Sequence, residues 1–464
     1  MIAPQFVPPD RGVATSISPS LLARLLLIAL VGLVDCQNVA AQPALATLSP
    51  PISSAWDDPY ALPSSGRFAA APVGLIDQPL FDGRLLSDSA FSPMRMFQNV
   101  EPYRGRMFIR GEYLGWQMDP LDTPPLVTTN PTGTPQNQSG FIGGTDTSTL
   151  FGGELNDSFR SGFRVRGGWY VDPSRFWAIG GDYYELFGDG DSFNAASNGS
   201  PILARPFYDI VGGRETARFT SFPALVSGDI AVSSDTKLRS FGINLQADAV
   251  NPPNHSSQMA NGCAREPRVD WIVGYRNVLL QDKLQFSENL TALVPPGGIA
   301  NLRESFETEN QFQGLELGFV REVPLGRWWF ETTSRVAVGN NAQQVKIAGS
   351  TRLIEAGVAE TFPGGLYAQR TNIGSYERDR FTVVPELGAT IGFHVGPRIS
   401  LTAGYTFVYI SNVVRAGDQI DTDINPGLLP VEVNPLNGPL RPRFIFRETD
   451  FYAHGLTVGG DFRF

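Results

Sequence analysis

From Arg106 onward, apolar and polar residues alternate with a period of two. In the closing stretch FYAHGLTVGGDFRF, one face carries Phe464, Phe462, Gly460, Val458, Leu456, His454 and Tyr452. The other carries Arg463, Asp461, Gly459, Thr457, Gly455 and Ala453. A period of two is that of a strand with one apolar and one polar side. The pattern recurs along the chain. Ile109, Gly111 and Tyr113 oppose Arg110 and Glu112; Phe163, Val165 and Trp169 oppose Arg160, Arg164 and Arg166; Trp177, Ile179 and Tyr183 oppose Asp182. Phe241, Ile243 and Leu245 oppose Ser240 and Asn244; Trp271, Val273 and Tyr275 oppose Asp270 and Arg276; Leu315, Leu317 and Phe319 face away from Glu316. Trp328, Phe330 and Val336 oppose Glu331 and Arg335; Leu387, Ala389, Ile391 and Phe393 oppose Glu386 and His394; Ile399, Leu401, Ala403, Tyr405 and Phe407 oppose Arg398, Ser400 and Thr402.

This gives ten long strands. Long connections are expected at 118–157, 188–235, 281–304, 348–377 and 412–449, and short ones at 172–174, 322–326 and 396–397; the 249–267 connection is the exception. Short turns at one end and long loops at the other are the signature of a transmembrane up-and-down antiparallel β-barrel. Twelve strands is the alternative, if some loops extend as hairpins. Closure also disposes of the exposed edge that a terminal strand would otherwise present. The aromatics agree. Trp169, Trp177, Trp271 and Trp328 lie near the short turns, and Tyr183, Tyr275 and Tyr409 toward the other strand ends. Two aromatic belts around an apolar band suit a bilayer, whereas a soluble sandwich would gather its aromatics at mid-strand.

Composition fits a barrel rather than a helical membrane protein. Charged residues make up 18% of the chain and glycines number 49, and the mean hydropathy is only -0.10. A membrane barrel hides its apolar residues in every second position, so its average looks soluble. The net charge of -10, with no basic cluster, argues against a nucleic-acid partner. The basic Arg24 with the apolar run to Val34 and the small residues Ala40 and Ala41 reads as a secretory signal peptide over 1–42. A lipoprotein site at Cys36 is the alternative, disfavoured by Asp35 before it. Residues 43–104, rich in Pro, Ser and Ala, read as a disordered periplasmic lead-in or as a plug; 105–464 is the barrel. With the signal peptide removed, Cys263 is the remaining cysteine, so no intramolecular disulfide is expected.

The polar face would line the lumen. Arg110, Arg160, Arg164, Arg166, Arg276, Arg335, Arg398 and Arg463 are expected to point inward, with Glu112, Asp182, Asp270, Glu316, Glu331, Glu386 and Asp461. A charge in a narrow, poorly hydrated lumen has to be paired. Barrels of about eight strands are filled by side chains, and open channels need about sixteen, so a mostly occluded, interlocked interior is expected. Catalysis is not. His255, His394 and His454 lie on separate segments, and a Ser–His site needs a nucleophile within reach. Asp421 to Glu432 has the spacing of a calcium loop, but Pro426 stands where that loop needs glycine. No metal or other cofactor is expected.

Ordered blocks along 105–464 carry a resemblance. They include Glu112-Tyr113-Leu114-Gly115-Trp116, Arg160-Ser161-Gly162-Phe163-Arg164-Val165-Arg166-Gly167-Gly168-Trp169, Val336-Ala337-Val338-Gly339-Asn340 and Val414-Arg415-Ala416-Gly417-Asp418-Gln419-Ile420-Asp421. In this order they resemble the outer-membrane β-barrel porins of planctomycete bacteria, the beta-barrel protein seven family. Phe451 to Gly455 departs from that family's usual tryptophan. The closing residues Gly459, Phe462 and Phe464 are similar to the C-terminal signal that outer-membrane barrels present to their assembly machinery. The resemblance implies a barrel in the bacterial outer membrane, with outer-membrane lipid and the barrel-assembly machinery as partners. It brings no established substrate or catalytic residue. Two functions are expected from the whole: a narrow porin passing small solutes, or a structural, surface-binding barrel with an occluded lumen and functional external loops.

Overall fold

The computed structural model describes residues 105–250 and 267–464. The expected signal peptide and lead-in, His255 and Cys263 lie outside them. Ten strands form the barrel: β1 Met107–Met118, β2 Arg160–Tyr170, β3 Trp177–Asp189, β4 Val226–Asp248, β5 Arg268–Ala292, β6 Gly298–Leu325, β7 Trp328–Glu355, β8 Gly374–His394, β9 Ile399–Val413 and β10 Thr449–Arg463. Each pairs antiparallel with its neighbours in chain order, and β10 pairs with β1 from Phe108↔Arg463 to Met118↔Ala453, closing the ring. Beyond that ladder, Met107 and Phe464 exchange both backbone hydrogen bonds at 2.9 Å.

The lower part of every strand is apolar outside and polar inside. On β10, the outward run from Phe462 through Val458 and Leu456 to Tyr452 spans a height of about 25 Å once the usual strand tilt is applied. Trp169, Trp177 and Trp271 lie outward at the short-turn end, each about half exposed, and Trp328 packs there on Phe393 with ring centroids 4.7 Å apart. Tyr183 and Tyr275 lie outward further along. Tyr409 does not join them in the open: it shares their parity but is buried, only 7% exposed.

Above the band the pattern changes sign. On β5, Trp271, Val273 and Tyr275 face out and Arg276 faces in; further along, Lys283 and Gln285 face out while Leu284 and Phe286 are buried inside. The 281–304 segment, expected as a loop, is therefore the upper half of a hairpin. β5 and β6 stay in register from Arg268↔Glu322 to Ala292↔Gly298. The same holds for much of 348–377, where β7 runs on to Glu355 and pairs with Val358–Pro363. Water on both sides cannot hold such an extension together. Its inward face is apolar because protein, not lumen solvent, meets it.

That protein is a cap. The strands Leu121–Asn130, Ser148–Leu155, Ile202–Asp209, Arg214–Ser221 and Asp423–Ile424 make a five-stranded sheet of their own. Leu121, Leu126, Val127, Phe207 and Ile424 from the cap share one core with Ile230, Val232, Leu284, Phe286, Phe306, Val345 and Ile347 of the barrel's upper wall. The long external segments thus fold into the mouth.

Candidate functional site

The lumen is stacked in layers, and the lowest full layer is ionic. Arg110 on β1 reaches across to Glu331 on β7 with two bonds, 2.8 and 3.0 Å, and its Nε lies 3.4 Å from Asp461 on β10. Arg164 holds Glu112 beside it, and Arg166 lies 3.4 Å from Glu386 on β8 and 3.7 Å from Glu331. Arg276 on β5 grips Asp182 on β3 at 2.7 Å and Glu316 on β6 at 2.5 Å, and Arg335 on β7 adds a 2.9 Å bond to Asp182. Several of these strands are far apart around the ring, so the side chains meet over the barrel axis. They are long enough to do so only because both partners extend inward, and they are buried because the partners fill the gap. Glu331 and Asp182 each take a guanidinium fork through both oxygens, the geometry in which arginine exceeds lysine.

An apolar layer lies directly above. Leu114, Trp116, Met118, Tyr184, Leu238, Val278, Leu280, Phe312, Val408, Ile410 and Phe451 point inward and are buried. Glycines across the wall make room for the large rings. A Cβ on Gly455 would strike Trp116, and one on Gly392 would strike Trp329, the second fully buried tryptophan, lower in the lumen. Buried polar side chains are interleaved with the apolar ones: Arg160 stands opposite Trp116, Ser240 opposite Val278 and Asn341 opposite Phe312.

Two pins then hold the cap. Arg415 bonds Asp282 on β5 at 2.6 Å and Asp119 at 3.2 Å. Higher up, Arg205 lies between the rings of Phe286 and Tyr367, 4.4 and 4.5 Å from their centroids, and pairs with Glu304 at 2.7 Å and Glu288 at 3.3 Å. The other oxygen of Glu304 accepts the backbone N–H groups of Leu366, Tyr367 and Ala368 at 2.7–2.8 Å. The 421–432 loop is held by arginines as well: Asp421 bonds Arg441 at 2.7 Å and Glu432 pairs with Arg370.

Below the ionic layer, the short-turn end opens into a vestibule of about 100 Å³, open at its mouth. Asp270, Arg463 and Asp461 line it, with Arg268, Glu322, Tyr170 and Arg175. Arg268 grips Asp270 at 2.7 Å, and Arg463 reaches Asp461 at 3.1 Å.

Of the inward residues expected from alternation, Arg160 is buried higher up, donating to the Asn156 carbonyl at 3.3 Å. Arg398 is the correction: it sits in the turn between β8 and β9 and is exposed, because strand parity ends at His394 and resumes at Ile399. Gly459 faces the lumen opposite Glu112, and Phe462 and Phe464 face outward with rings 5.4 Å apart. His394 Nδ1 lies 2.8 Å from Ser400 Oγ, but both are buried on the lumen side, and His454 bonds the Tyr405 hydroxyl on the lipid side. Parity reasoning missed Arg205, Glu288, Glu304, Asp282 and Arg415, which lie above the band. A switch from apolar-out to apolar-in along 276–286 was the available signal.

A ten-stranded ring with a lipid-facing apolar band, a polar interior and a folded external cap defines an outer-membrane-type β-barrel. Residues 108–464 match the family described as "Putative beta barrel porin-7 (BBP7)", and the chain belongs to that family. No curated protein matches it. Among solved structures, the outer-membrane protease OmpT from Escherichia coli is similar at 8% identity, covering 77% of this chain and 96% of that one, with a TM-score of 0.32. A TodX ΔS2S3 mutant, a monoaromatic hydrocarbon channel, aligns at 10% identity over 80% and 95% with a TM-score of 0.21. A Pseudomonas aeruginosa FadL homologue aligns at 8% over 77% and 90%, with a TM-score of 0.20. None of the three is close enough to inform function.

Proposed function

We propose that the chain is a porin-family barrel held closed at rest, in which passage of small solutes depends on displacement of the cap and of the apolar layer beneath it. The observation that carries this is the sequence of layers on the axis: a vestibule that brings solvent to the ionic layer from one side, and a buried apolar stratum that stops it on the other. No catalytic step and no cofactor belong to this reading. Planar-bilayer recordings test it. The natively folded wild type is expected to show no conductance steps, while Glu304→Ala, which releases Arg205 and three backbone donors, gives intermittent steps. Steady open-channel current from the wild type would overturn the closed state.

A second reading is favoured by the cap's continuous core: the barrel serves as an anchor and the external surface does the work. In that case Glu304→Ala stays silent in the bilayer, and deletion of 429–440 abolishes surface binding by whole cells.

A further inference from the structure

We propose that the vestibule at the short-turn end binds a small oxyanion, a phosphate or carboxylate group carried by a solute on that side of the membrane. The site is independent of whether the barrel ever conducts. Six arginines line the cavity, Arg110, Arg166, Arg175, Arg268, Arg335 and Arg463, against five carboxylates, which leaves one positive charge in excess (six minus five). The excess has an address. Arg110, Arg268, Arg335 and Arg463 each hold a carboxylate within 3.1 Å. Arg175 pairs with none among the described residues; its guanidinium instead lies on the Tyr170 ring, 4.2 Å from the centroid, with Arg268 on the same ring at 5.1 Å. It is held there by the backbone, since Arg268 Nη2 bonds the Arg175 carbonyl at 2.9 Å.

A second observation points to a ligand. Arg166, Arg175 and Arg335 all line this one cavity, and the Nε–H group of each is buried with no acceptor among the described residues. Arg166 is also the most loosely paired guanidinium of the ionic layer, with its nearest carboxylate oxygens at 3.4 and 3.7 Å. Buried donors call for acceptors, and donors of one sign around a cation-rich cavity call for an anionic one. Planar guanidinium groups match the two oxygens of a carboxylate or phosphate. A divalent cation is the wrong guest, because the cavity's carboxylates face guanidinium groups already. Arg175 at the mouth would engage the oxyanion first, and Arg166 and Arg335 form the floor.

Titration calorimetry of the full-length protein, folded in detergent micelles, tests this with inorganic phosphate and with acetate against chloride at matched ionic strength. Saturable binding of either oxyanion is expected, with binding of phosphate alone or acetate alone naming the preferred group. Arg175→Gln, at the edge of a solvent-exposed turn, should weaken binding at least tenfold, and Arg175→Lys less. Arg370→Gln on the external loop should leave it unchanged. Folding of each variant is read from the heat-modifiable shift on a gel. Binding that does not saturate above the chloride control, or that survives Arg175→Gln at full strength, would overturn the assignment.

Discussion

At the scale of the residue, the protein's buried cations on the barrel axis are all arginines, and no described lysine joins them. Its only three lysines, Lys237, Lys283 and Lys346, all stand exposed on the outer wall above the apolar band, while the guanidinium groups of Arg110, Arg164, Arg276 and Arg335 are buried on the axis. An ammonium is strongly hydrated and makes point contacts, whereas a guanidinium spreads its charge over a fork that can serve two carboxylates. Arg276 does so for Asp182 and Glu316. Replacing it with Ala leaves both acids buried with one partner fewer, which should cost roughly 3–5 kcal/mol, measured by urea unfolding in lipid vesicles. Lys283→Ala, which removes an exposed 3.3 Å pair with Glu307, should cost about 0–1 kcal/mol. Inward residues such as Arg110 and Glu331 were legible because each sits in the middle of an unbroken alternation. Arg398 and Tyr409 were misjudged for local reasons, the first because a turn has no parity and the second because neighbouring groups cover a wall position.

At the scale of the element, strand count and direction could be read from period two, but strand length could not. The upper half of β5 keeps the period while exchanging its faces, and Leu284 and Phe286 look like the wrong side of a membrane strand until the cap is in place. The cap itself is non-local, since Leu121, Phe207 and Ile424 come together only in three dimensions. One of its attachments responds to pH. Asp119 and Asp418 sit by Arg415 where the 414–448 segment enters the mouth, and burial pushes both up to about 6 against the pull of Arg415. Asp122 and Asp282 add like charge, and Arg447 and Tyr452 also face the cluster. The docked cap thus binds more protons than a released one. This contribution is fully present below the ordinary carboxylate pKa of 3.8 and is lost as pH rises through about 6. Hydrogen exchange in 414–448, corrected for intrinsic rates, should be slower at pH 5 than at pH 7.5, and Asp418→Asn should flatten that difference.

At the scale of the whole molecule, one wall serves two solvents in succession. Lipid meets Leu317, Ile391 and Leu401; water meets Lys283, Gln285 and Gln344 on the same outer surface further up. An arginine at Leu317 should therefore cost about 2–4 kcal/mol, and one at Gln285 almost nothing, with folding into vesicles as the common readout. The join between β1 and β10 carries a different consequence. Its partners, such as Tyr113 and Val458, are separated by most of the barrel's sequence, so the first strand has no mate on one side until the last is synthesised. Until then every intermediate is a curled sheet with two unpaired margins. Order of arrival is thus built into the topology, and any defect in the final hairpin is a defect in closure.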